Sequence, residues 1–175
     1  MFCGHRDELF TQEQKDWLIK TTEQLILEGA TVFYLGGYGD FDSLAKKTVL
    51  ELKKKYPQIH PVQVLAYLDK KEEFPTEIET VYPPLEKVPK RYAILKRNQW
   101  MVENSDVIIS AVRYGWGGAQ KTLDYAKKKE KMIFSYTNNF QKKILTARTL
   151  KTAAAKSARS AAKTVLRPFL IWTAP

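Results

Sequence analysis

The sequence predicts an α/β fold, a Rossmann-like doubly wound parallel sheet with helices on both faces, followed by a basic C-terminal helical tail. Three observations carry this expectation. Short apolar runs rich in β-branched and aromatic residues alternate with amphipathic stretches of helical period. Two of the runs end in glycine clusters that open the next helix. The 175 residues suffice for one domain with a real core and hardly for two. Strand–helix alternation favours parallel pairing through right-handed crossovers.

Along the chain, Phe2 to Arg6 is too short to assign as a strand from pattern alone. A helix follows: Thr11 is a good N-cap, Gln14 stands at capping-box spacing, and Trp17, Leu18, Thr21, Leu25 and Ile26 recur at helical intervals. Gly29 is placed to end it in the left-handed conformation. Ala30 to Leu35 (ATVFYL) reads as a strand buried on both faces, and Gly36-Gly37-Tyr38-Gly39 as the turn after it. Leu44, Ala45, Val49 and Leu52 mark a helix from Asp42 to Tyr56, with Lys53, Lys54 and Lys55 at its negative dipole end. Val62 to Tyr67 is the next strand, and the polar, proline-rich stretch from Asp69 to Pro89 reads as a long loop. Then come a helix over Arg91 to Asn104, a strand over Val107 to Val112, the cluster Gly115-Trp116-Gly117-Gly118, a helix over Ala119 to Lys129, and a strand over Met132 to Tyr136.

Beyond Asn139 the composition shifts to Ala, Lys, Arg, Ser and Thr, which places a boundary near residue 140: a ligand-binding domain over 1–139 and a helical extension over 140–175. Nearly all of the net charge of +10 comes from residue 131 onward. Residues 131–175 hold nine basic groups and no acid, leaving 20 basic against 19 acidic groups in 1–130. A basic tail can hold a polyanion by counterion release, although most such tails are simply solvated. Its apolar end, Phe169 to Trp172, is expected to dock on the body or on a second copy, so a homo-oligomer is expected. No stretch is apolar enough to span a bilayer, the N-terminal residues lack a signal-peptide layout, and the single Cys3 fits a reducing compartment. A cytoplasmic protein without membrane association is the expectation.

The chemistry is expected at the two glycine clusters, because a helix N-terminus offers unpaired N–H groups and glycines admit a phosphate to the backbone. Neither cluster matches the dinucleotide fingerprint or the P-loop. Two such turns at the carboxyl ends of strands in one sheet would converge where open α/β folds bind ligands. The candidates are Gly36, Gly37, Tyr38, Gly39, Asp40 and Asp42 at the first, and Trp116, Gly117, Gly118, Ala119 and Thr122 at the second. His5, Arg6, Arg91, Arg97 and Asn98 are nearby polar candidates. Each has a plainer alternative: Asp42 as a helix cap, His5 as a core or capping group, Arg91 as a solvated charge, Tyr38 and Trp116 as packing rather than stacking surfaces. No Cys, His and Asp set has metal-site or triad spacing, so neither a metal, a cofactor nor a catalytic residue is assigned.

Four segments, FCGHR at 2–6, FYLGGYGDFDSLA at 33–45, KRYAILKRNQWMVENSDVII at 90–109 and GGAQKTLDYAKKK at 117–129, together resemble the YpsA-like branch of the SLOG superfamily, Rossmannoid relatives of the Smf/DprA and LOG proteins. The resemblance covers about residues 2–136. It implies a doubly wound parallel sheet and binding of nucleotide-like or NAD-derived ligands. Some members of the superfamily hydrolyse nucleoside monophosphates, and others sense nucleotide signals, often in conflict with phages. The LOG pattern P-G-G-x-G-T-x-x-E is not kept: Leu35, Asp40 and Ser43 stand at its proline, threonine and glutamate. Glycosidic cleavage needs a carboxylate, so the resemblance implies a non-catalytic ligand binder first, a phosphoribohydrolase with Asp42 substituting second, and nucleic-acid binding through the tail third.

Overall fold

A computed structural model describes residues 1–7, 9–68 and 75–136. In chain order the elements are β1 (Phe2–Gly4), α1 (Gln12–Leu27), β2 (Val32–Leu35), α2 (Asp40–Lys55), β3 (His60–Val64), β4 (Glu79–Val81), α3 (Lys90–Glu103), β5 (Val107–Ala111), α4 (Gly117–Lys128) and β6 (Met132–Ser135). Every pairing is parallel, in two ladders of three strands ordered β1-β5-β6 and β2-β3-β4. The architecture is the Rossmann-like α/β fold that the alternation predicts, its strands hydrogen-bonded as two ladders.

Consecutive strand residues point to opposite faces, so a strand covered on both sides is apolar at successive positions. Phe2, Phe33 and Ile109 pack with Leu18 and Leu25 of α1 and Val49 of α2. Their neighbours Cys3, Tyr34 and Ile108 turn the other way, toward Met101 and Val102 of α3 and Ala126 of α4. Helices therefore cover both faces.

The ends of α1 show how local sequence sets the elements. The Gln14 N–H donates to Thr11 Oγ1 at 3.3 Å and the Thr11 N–H to Gln14 Oε1 at 2.8 Å, which closes the capping box. At the other end Gly29, at φ +98°, lets the Gly29 and Ala30 amides reach back to the Ile26 and Leu25 carbonyls. That is a Schellman stop.

Several boundaries differ from expectation. Phe2 to Gly4 is a strand, because it pairs with Ile109 to Ala111 across the chain, which local pattern cannot reveal. The stretch read as a long loop contains β4, whose Glu-Thr-Val sequence carries no apolar run. β3 starts at His60 and stops at Val64 rather than Tyr67. Helices α2 and α4 begin at Asp40 and Gly117, two residues before the expected starts, so Gly117 and Gly118 lie inside the first turn of α4. No described helix is long and apolar enough to cross a membrane. The tail from 140 onward, with the Phe169 to Trp172 segment, lies outside the described residues.

Candidate functional site

Both glycine turns meet at the end of β1. The Asp40 N–H, at the start of α2, donates to the Arg6 carbonyl at 2.7 Å, and the Tyr114 N–H, in the turn after β5, donates to His5 Nε2 at 3.0 Å. His5 and Arg6 are thus bracketed by the two turns.

The turns are built for different reasons. At the first, the protein itself occupies the space that each glycine leaves. A Cβ on Gly39 would stand 2.5 Å from Arg6 Cα, one on Gly37 would stand 2.3 Å from Gln63 Nε2, and one on Gly36 would stand 2.4 Å from Asp42 Oδ2. Gly37 and Gly39 also hold φ of +79° and +103°. The Asp42 carboxylate tucks under the turn and accepts the Tyr38 N–H at 2.9 Å. Burial pushes its pKa up, against the opposing pull of that hydrogen bond, Arg97 and Lys46.

Arg97 holds the first turn from below. It is 2% exposed, and its Nη1 donates to the Val64 carbonyl at 2.9 Å and to the Gly36 carbonyl, joining the ends of β2 and β3. Its guanidinium lies 5.3 Å from the centroid of the Tyr38 ring. Burial lowers its pKa, opposed by Asp42, Tyr38 and Tyr67, and the group stays protonated.

At the second turn no described side chain fills the space. Among the described residues, no heavy atom beyond the chain neighbours and the helix's own backbone would lie within 4 Å of a Cβ on Gly115, Gly117 or Gly118, although Gly117 holds φ +88°, and Arg113 through Gly118 are all exposed. Helix α4 has no side-chain N-cap, with Trp116 at that position, and its first turn holds no acid. Trp116, 72% exposed, stacks on Tyr114 with centroids 5.7 Å apart, and Tyr114 contacts the His5 ring at 5.0 Å. Three rings thus run from the β1 end to the uncapped helix start. Behind them the Cys3 thiol donates to the Ala119 carbonyl at 3.3 Å, and burial pushes its pKa up to about 12.

The expected site residues divide accordingly. His5 and Arg6 follow β1, with Gly39 and Asp40 against Arg6, Ala119 against Cys3, and Trp116 reaching His5 through Tyr114, while Gly36, Gly37 and Tyr38 lie against Asp42, Gln63 and Tyr67 at the ends of β2 and β3. Thr122 is 3% exposed, and its hydroxyl donates to the Gly118 carbonyl and accepts from Asn98 Nδ2, so Asn98 and Thr122 tie α3 to α4. Arg91 lies on the exposed start of α3, with its guanidinium 4.8 Å from the Tyr92 ring centroid. Gln63, Tyr67 and Tyr114 were not singled out by sequence reasoning. Tyr114 had a signal, since it precedes the second glycine cluster; Gln63 is visible only as a polar residue inside an apolar strand. Among the described residues, no group of three His, Cys, Asp or Glu could hold a metal ion.

The starts of α2 and α4, neither with a side-chain cap, follow the carboxyl ends of parallel strands, the edge at which open α/β folds commonly bind ligands. No protein-family model and no curated protein matches the chain. Among solved structures, the chain is similar to DNA processing protein A from Helicobacter pylori, described for its single-stranded DNA binding mode. The TM-score is 0.51 at 18% identity, covering 93% of this chain and 80% of that one. The likeness is one of fold.

Proposed function

We propose that the edge around His5 and Arg6 binds a nucleotide-derived, phosphate-bearing molecule, with its phosphate at the start of α4 and its base against Tyr114 and Trp116. The observation that carries this reading is the contrast between the two turns. The glycines of the first are required by neighbouring protein atoms, whereas at the second Gly117 is required by its φ of +88° alone, and a Cβ on Gly115 or Gly118 would meet no described atom outside its own turn and helix, in front of N–H groups at the uncapped helix start. An anion there gains the helix dipole and backbone donors together. Arg6, exposed beside the same strand end, supplies positive charge.

In a second reading the nucleotide is one unit of a single strand. The fold neighbour is described for single-stranded DNA binding, and an exposed aromatic stack suits sequence-tolerant base stacking. Hydrolysis is the weaker reading, because the Asp42 carboxylate is engaged beneath the first turn by the Tyr38 N–H. Membership of the YpsA-like branch and a sensing role belong to this proposal too.

Calorimetry against AMP, NAD, ADP-ribose and deoxyhexamers tests the readings together. A saturating small nucleotide at a hundred times its Kd should add about 2.7 kcal/mol to unfolding stability. A strand would instead show affinity falling with salt at a log–log slope of about −0.7 per phosphate contacted. Absence of saturable binding to every member of the panel overturns the proposal.

A further inference from the structure

Tyr114 and Trp116 present the rings of the second turn, and a group that sets them in place lies on another segment. The Tyr114 N–H donates to His5 Nε2 at 3.0 Å, and the His5 and Tyr114 rings meet at 5.0 Å with 51° between their planes. A backbone amide can only donate, so Nε2 holds a lone pair and the proton of the neutral imidazole is on Nδ1. Protonation of Nε2 would set two N–H groups against each other, and the bond would be lost. Tyr114 in turn carries Trp116, stacked on it at 5.7 Å and 26°. With Tyr114 50% and Trp116 72% exposed, the body of the fold holds little of either ring, and His5 ties the pair to the β1 end.

We propose that His5 is the positioning residue of the base platform. Its Nε2 lone pair holds Tyr114, and with it Trp116, in the orientation on which a base stacks, so the platform is assembled while the imidazole is neutral and released when it is protonated. The inference rests on the nucleotide-binding reading and gives that site its pH dependence. The sign is opposite to that of a phosphate contact. An imidazolium touching phosphate would strengthen binding as pH falls. An acceptor for a backbone amide makes base-dependent binding present at high pH and lost as pH falls through the histidine titration. The charged groups on the segments that meet here are Arg6 and Asp7 beside His5, Asp40 and Asp42 on α2, Arg113 in the turn after β5, and Lys121 on α4. All of them stand unchanged in the variants below, so a pH response that disappears with the imidazole belongs to His5.

The test uses fluorescence anisotropy of the full chain with labelled dT6 and an abasic hexamer of equal phosphate number, from about pH 8 down to about pH 5.5, where thymine and phosphodiesters keep their charge while histidine titrates. The ratio of the two affinities isolates the base. In wild type that ratio is expected to fall by about threefold to tenfold on acidification, the range of one net hydrogen bond. His5→Gln, whose amide oxygen reaches the Nε2 position, is expected to keep the high-pH ratio throughout, and His5→Ala to show the low ratio throughout. The wild-type profile needs no substitution, which keeps the proposal falsifiable should a variant fail to fold. Without hexamer, the Tyr114 amide resonance is expected to follow the titration in wild type and to stay still in His5→Gln. A wild-type preference for dT6 that is flat with pH or grows on acidification, or a folded His5→Ala protein with the wild-type ratio at the upper pH, overturns the positioning role and leaves the base platform standing. Equal affinity for the two hexamers at every pH, or no binding of either, overturns the platform and the positioning role with it.

Discussion

Gly118→Asp separates the use of the second turn from its construction. Gly118 is the second residue of α4, its φ lies outside the left-handed region, and a Cβ there meets no described atom within 4 Å beyond its chain neighbours and helix backbone. The aspartate therefore fits without strain. At a helix N-terminus its charge complements the dipole by roughly 0.3–1 kcal/mol, and replacing glycine by a residue that tolerates this backbone adds a similar amount through the unfolded chain. Stability should hold or rise. A phosphate seated on the same amides would stand about 4 Å from the new carboxylate, where like charges repel by about 1 kcal/mol in water and about 4 kcal/mol near a protein surface. At 1.4 kcal/mol per decade this is a loss of about fivefold to several hundredfold in affinity. Urea melts read the first quantity, and calorimetry with the tightest ligand of the nucleotide panel reads the second. A folded variant that binds like wild type would show that the open glycines have no phosphate to admit, and the reasoning fails.

The first turn should respond in the opposite way. Gly39→Ala sets a Cβ 2.5 Å from Arg6 Cα at φ +103° and should cost about 3 kcal/mol or more, whereas Gly115→Ala should stay within about 0.5 kcal/mol; denaturant midpoints compare them. Arg97→Met leaves the Gly36 and Val64 carbonyls without their donor and should destabilise by about 3 kcal/mol, so a loss of binding in a fully stable Arg97→Met protein would instead make Arg97 a ligand contact. Because burial raises the Asp42 pKa in the folded state above the usual aspartate value, the native protein holds that proton more tightly. The associated stability is fully present below the unfolded pKa and is lost as pH rises through the folded value. Relative to Asp42→Asn, wild type should therefore gain stability as pH falls through the carboxylate range, and a relative loss in urea melts at stepped pH contradicts the sign. Cys3, buried and with its pKa pushed up to about 12, should react with a thiol reagent at neutral pH only at the rate of unfolding; fast labelling of native protein would place the thiol elsewhere.

The helices were legible because their apolar spacing and caps are local: Thr11 with Gln14, and Gly29, announce both ends of α1. The strands that lie between helices on both faces were legible as apolar runs. What escaped was settled by pairing. Phe2 to Gly4 becomes a strand through Ile109 to Ala111, and Glu79 to Val81 through Val62 to Val64, contacts over long separations that no window contains. The division into two ladders is equally non-local. At the site, sequence could find both glycine clusters but not tell them apart, since the difference lies in what a Cβ would touch: Arg6, Gln63 and Asp42 at one, and no described atom outside the turn and its helix at the other. Arg97 shows the same limit. An arginine on an amphipathic helix reads as exposed, and only the fold turns it inward onto two carbonyls.

The central claim, that a nucleotide seats between the two turns at the end of β1, is tested most directly by peptide-resolved hydrogen exchange of the full chain with and without a saturating nucleotide or hexamer. The account predicts slowed exchange at the amides of 114–119, with a smaller effect at 5–6 and 36–40, because phosphate oxygens would accept from the α4 amides that now have no partner within the helix. Protection confined to residues 140–175, with 114–119 unchanged under demonstrated binding, would contradict it and move recognition to the basic tail.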